Sequence, residues 1–188
     1  HRFLGMLAVG QGRLGDAQAS YEAMLAAGER MADAEQAANA HGLLAALFHY
    51  MGDTANEWRH LTLAAPVMSR SASPGVRYVQ LTLAAAALTS ESPESALPVH
   101  DSMVSVAREW GRAPVIAEAL TQRAATALRL GDRTRAEADL NEARQWLGGL
   151  DPAVRERLEV PVLRVESDLL RPADPAAAAA TASRALAL

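Results

Sequence analysis

The stretch LTQRAATALRLGDRTRAEADLNEA, Leu120–Ala143, decides the fold. Ile116, Leu120, Ala124, Ala127 and Leu128 before its centre, and Ala136, Leu140 and Ala143 after it, recur at helical intervals. Between the two runs stands Gly131-Asp132. Glycine takes the left-handed conformation that ends one helix, and aspartate accepts a hydrogen bond from the free N–H groups that begin the next. The stretch therefore reads as two helices joined by a tight turn.

The tripeptide LGD at Leu130–Asp132 stands also at Leu14–Asp16, and MGD stands at Met51–Asp53. Ser92-Pro93 and Asp174-Pro175 supply the same punctuation, with proline at the first helical position. Taken as equivalent, Asp16, Asp53, Ser92, Asp132 and Asp174 lie 37, 39, 40 and 42 residues apart, a repeat period. Eight residues before them lie Ala8, Ala45, Ala84, Ala124 and Glu166; four after them come Ser20, Glu57, Ala96, Ala136 and Ala178. Small residues at matched places let two helix axes approach, with Leu7, Leu44, Phe48, Leu61, Leu83, Leu120 and Leu140 filling the space between. Further starts at Ser73-Pro74 and Asp151-Pro152 bring the expected total to ten helices. The alanine-rich tail Asp174–Leu188 is expected to be helical. Pro98 and Pro161 are expected to bend or shorten the third and fifth pairs.

Composition narrows the function. The chain has 188 residues, 50% hydrophobic and 21% charged, with a formal net charge of −4. This balance predicts a folded chain without the basic face that nucleic acid or an anionic membrane would attract. All 18 basic residues are arginine and there is no cysteine, which excludes a phosphate-loop lysine, a Schiff base, disulfides and thiolate ligands. The bias towards Ala and Arg is that of a GC-rich bacterial genome. No apolar run approaches the roughly 20 residues a membrane span needs, so a soluble, cytoplasmic chain is expected. The opening at His1 and the uncapped end at Leu188 suggest a piece of a longer polypeptide.

Metalloprotease, serine-hydrolase, phosphate-loop and calcium-loop motifs are absent from the sequence, and no catalytic residue, metal or cofactor is expected. His41, His49 and His60 form a conceivable histidine cluster, although packing is the better reading of His41 and His100. Arg133…Glu137 and Arg135…Asp139 read as i,i+4 pairs on a solvated face. Trp58, Trp110 and Trp146 are expected to pack in the core or between repeats.

The helix pairs resemble the tetratricopeptide repeat (TPR) family. GLLAALFHYMGDTANEWRHLTLAA, Gly42–Ala65, and the opening stretch carry its Leu-small pair, Gly-Asp turn and flanking small residues. The family's usual period is about 34 residues. Longer steps are similar to the variant in large bacterial transcriptional activators and in repeat arrays attached to CHAT proteases. REWGRAPVIAEALTQRAA and LEVPVLRVESDLLRPADP share that flavour. Glu57, Glu166 and Arg123 depart from the pattern, standing where small or leucine residues are usual.

The resemblance implies an all-α, right-handed superhelical solenoid of about five repeats in one domain, residues 1–33, 34–73, 74–112, 113–150 and 151–188. It implies a non-catalytic protein-interaction scaffold whose first helices line a concave wall. Arg2, Asn39, His49, Tyr50, Tyr78, Thr121, Gln122, Arg129 and Arg171 are the residues expected on that wall, facing a peptide or partner helix. Tyr78→Ala is accordingly expected to leave the fold intact. Exposed solenoid ends would favour self-association. The alternative is a small-molecule sensor with a pocket near His49, Tyr50 and Tyr78.

Overall fold

A computed structural model describes the backbone of the whole chain and the side chains of residues 1–89 and 92–188. Ten helices follow one another: α1 (Arg2–Gly10), α2 (Leu14–Arg30), α3 (Ala34–Met51), α4 (Thr54–Met68), α5 (Pro74–Glu91), α6 (Pro93–Trp110), α7 (Ala113–Arg129), α8 (Arg133–Leu147), α9 (Pro152–Leu170) and α10 (Pro175–Ala187). No strand occurs among the described residues. The fold is all-α.

The turns explain why helices form where they do. Gly52 and Gly131 have φ of 73° and 82°, a region L side chains rarely adopt. Directly after them, Asp53 and Asp132 accept hydrogen bonds from the N–H groups of Asn56 and Arg135 at 3.1 and 3.0 Å. Ser92 caps α6 through Ser95 N–H and Asp174 caps α10 through Ala177 N–H. Each such cap stabilises its helix by about 1 kcal/mol.

The first repeat departs from the expected alignment. Asp16 caps nothing: it lies inside the first turn of α2 and pairs with Arg13 at 2.6 Å. The turn glycine is Gly12, φ 70°, and Arg13 is the residue before the helix. A Gly-Asp pair needs a preceding helix to end, and α1 has already ended at Gly10. With Arg13 in place of Asp16, the steps become 40, 39, 40 and 42.

This alignment replaces Ala8 and Ser20 by Gly5 and Ala17, both buried. It also explains why Leu7, expected to fill the core, is exposed. A Cβ on Gly5 would lie 2.2 Å from a ring carbon of Tyr21, so glycine is what lets the aromatic ring lie against α1. Tyr21 itself aligns with Leu61, His100 and Leu140, all buried. Gly5→Ala should therefore cost about 1–3 kcal/mol by overpacking, despite alanine's better helix propensity. Urea denaturation of the variant checks this.

α6 and α9 run through Pro98 and Pro161 without being shortened, and α4 likewise continues through Pro66. All three prolines are exposed. Each removes one backbone hydrogen bond on a face where water can satisfy the freed carbonyl, while the opposite face stays packed.

The chain divides into two compact units, His1–Ala87 and Leu88–Leu188. In the first unit α1 packs on α2, α2 on α3 and α3 on α4. Ala8, Ala17, Tyr21, Leu44, Leu47 and Phe48 form its main cluster; smaller ones join Ala38, Ala64 and Met68, and Ala45, Leu61 and Ala87. In the second unit each helix from α6 packs on the next, and α7 also packs on α9. Its core runs through Met103, Val104, Ile116, Leu120, Leu140 and Val162.

Charged residues in core-facing positions are paired. Glu57, 6% exposed, accepts a hydrogen bond from the His49 ring at 2.9 Å. Arg123 holds Asp139 through two hydrogen bonds of 2.8 and 2.6 Å and also meets Asp101 at 3.0 Å. Arg144 meets Glu166 at 2.5 Å. The expected i,i+4 pairs of α8 do not form. Arg133 donates instead to the Leu169 carbonyl and Arg135 reaches Asp101, because the spacing permits a local pair but the packed neighbours offer better partners. Trp58 and Trp146 are exposed rather than core, and Trp110 is half-buried with the Arg112 guanidinium 5.0 Å from its ring centroid.

Candidate functional site

Each unit has a recess between odd-numbered helices, α1 and α3 in the first and α7 and α9 in the second. In the first unit, Met6 and Val9 of α1, Leu43, Leu47 and Tyr50 of α3 and Tyr21 of α2 surround about 280 Å³. The walls are almost wholly apolar. The spacing Leu43, Leu47, Tyr50 places one face of α3 towards the opening. Tyr50 is 72% exposed, and Met6 is also open to solvent. Burying such side chains against a partner is favourable at roughly 25 cal/mol per Å² of apolar surface.

In the second unit, Glu118, Thr121 and Gln122 of α7 face Arg157, Leu158 and Pro161 of α9 across about 380 Å³. This recess is mixed in polarity. Thr121 and Gln122 were both expected on the wall, and the structure brings them together here.

The remaining expected wall residues are dispersed. Arg2 is exposed, and Asn39 is half-buried. His49 is exposed, but its ring is held by Glu57 of α4. Tyr78 is only 6% exposed, which corrects its placement on a free surface: its ring is packed, and Tyr78→Ala is expected to destabilise. Thr121 is 4% exposed and donates to the Ala117 carbonyl at 2.8 Å, so it forms the recess floor rather than a reaching wall. Arg129 donates to the Thr89 carbonyl at 2.6 Å, and Arg171 pairs with Asp168 at 2.7 Å. The recess beside Tyr50 is lined by neither Tyr78 nor His49.

Sequence reasoning missed Met6 and Tyr21. Both follow from the first repeat's alignment, which LGD at Leu14–Asp16 concealed; Gly12 two residues before was the usable signal.

Two of the three histidines of the expected cluster meet, while His49 is held apart by Glu57. His41 and His60 share one hydrogen bond between their Nδ1 atoms at 2.8 Å, so one ring donates and the other accepts. Phe48 stacks on His60 with centroids 5.5 Å apart. No group of three or more His, Cys, Asp or Glu suited to a metal ion occurs among the described residues. Burial lowers the pKa of both rings; Glu29 opposes this at His41 and Glu22 at His60, while Arg59 reinforces it at each. His100, buried in the second unit, is lowered for the same main reason.

For a histidine lowered in the folded state, the unfolded chain takes up its proton first. Stability is thus full above about pH 6.5, the ordinary histidine value, and declines as pH falls towards the lowered folded values. Melting temperature should drop between pH 7 and pH 5. His41→Phe should reduce that slope, which a calorimetric pH series measures.

No protein-family model matches the chain, and no curated protein matches it significantly. No helix among the described residues is long and apolar enough to cross a membrane.

Proposed function

We infer that the chain is a TPR-like, right-handed solenoid serving as a non-catalytic protein-interaction scaffold. It would act as a regulatory module of a larger cytoplasmic bacterial protein of the signalling or CHAT-protease-associated kind. The first unit's apolar recess beside Tyr50 carries this reading. A dry recess flanked by an exposed aromatic suits one large apolar side chain of a peptide or partner helix, as binding hot spots do. The 39–42-residue steps between helix-pair turns support the repeat assignment, and the α7–α9 recess gives the second unit a comparable opening between first helices.

Selection from a random peptide display library tests the reading. Enriched peptides should share an apolar anchor, and Tyr50→Ala should weaken their binding at least tenfold while leaving the melting temperature nearly unchanged. Peptides that bind Tyr50→Ala equally well would move the site elsewhere. A library that yields none would remove the scaffold reading from this recess.

A further inference from the structure

A further recess, of about 250 Å³, lies among α8, α9 and α10 and plays no part in the first-helix openings. Leu147, Val162 and Leu163, all nearly inaccessible, contribute its apolar surface. Arg144, Arg155 and Arg184 bring three guanidinium groups to it, and Glu159 and Glu166 two carboxylates.

The pairing is unequal. Glu166 meets Arg144 at 2.5 Å, and Glu159 meets Arg184 at 3.5 Å. Arg155 enters no ion pair or hydrogen bond with its side chain among the described residues. Arginine stays protonated at any physiological pH, so among the described residues the recess holds one uncompensated positive charge, in a lining of mixed polarity to which Leu147, Val162 and Leu163 present only their edges. Glu166 also occupies the position that Gly5, Ala45, Ala84 and Ala124 fill in the other repeats. A small residue there would leave Arg144 without its carboxylate; with Glu166 present, Arg144 is neutralised and Arg155 is the cation left over.

We propose that this recess binds a small organic carboxylate with a compact apolar body, its carboxylate on Arg155 and its body on Leu147, Val162 and Leu163. Guanidinium and carboxylate match as planar, bidentate partners. The volume is below the 300–1,000 Å³ usual for drug-sized ligands, which sets the size class. A polyanion such as phosphate would find only one free cation and would lie against two carboxylates. A neutral ligand would leave Arg155 partly desolvated without a partner.

The test uses the whole 188-residue chain and benzoate as probe, with benzamide as its neutral counterpart and inorganic phosphate as a charge-only control. Titration followed by amide NMR should give saturable shifts in α9 around Arg155–Leu163 with benzoate. Benzamide and phosphate should bind at least tenfold more weakly. Arg155→Gln should weaken benzoate at least tenfold, whereas Arg157→Gln, on the recess facing α7, should not. Arg155 is exposed, so its replacement should leave the melting temperature unchanged. Absence of saturable benzoate binding, equal binding of benzamide or phosphate, or full affinity in a folded Arg155→Gln variant would each overturn the proposal.

Discussion

Arg123→Leu should destabilise residues 88–188 by about 3–5 kcal/mol, the range for breaking a buried ion pair from one side. Asp139 is only 3% exposed, and both of its carboxylate oxygens accept from Arg123. Removing the guanidinium leaves that charge buried and unpaired. Asp101 suffers less, because it is half-exposed and keeps Arg135. Replacing both partners gives the opposite expectation: Arg123→Leu with Asp139→Leu should recover most of the loss or exceed the parent, since a matched apolar pair avoids the desolvation of two ions. Urea denaturation of the two single variants and the double variant forms the cycle that measures this coupling. Additive losses would show that the pair does not act as a unit.

Phe48→Ala should cost about 3–5 kcal/mol in residues 1–87, the range for an aromatic truncated in a core. Phe48 packs with Tyr21, Leu44 and Leu47 and stacks on His60, so the cavity would open between α2, α3 and α4. The same cavity lets water reach His60. Its burial-lowered pKa should return towards the ordinary value, and the acid-side loss of stability should become shallower. Amide hydrogen exchange across α2–α4 reports the first effect, and histidine NMR titration the second. Unchanged protection in those helices would place Phe48 outside the core.

Much of this architecture was legible locally. A left-handed glycine followed by a capping aspartate works through atoms within five residues, so Gly52-Asp53 and Gly131-Asp132 could be read directly. Proline after Ser92, Asp151 and Asp174 marked helix starts equally well. The first LGD misled because the same three letters do different work when the preceding helix has already stopped. Only the position of Gly12 distinguishes the two cases.

Site residues were less legible. Tyr78 and Thr121 are polar enough for a binding wall, yet both are buried. Which face of a helix meets solvent depends on neighbours tens of residues away. The charges at Glu57, Arg123 and Glu166 looked like defects in a repeat, and become intelligible only beside His49, Asp139 and Arg144.

The sequence by itself determined that the chain is all helix, where nearly every helix begins and ends, and the spacing of the repeated turns, because caps, turns and apolar periodicity are short-range chemistry. Tertiary structure alone decided the division into two units, the partners of the buried charges, and which side chains surround each recess, because burial and ion pairing are properties of packed surfaces rather than of neighbouring residues.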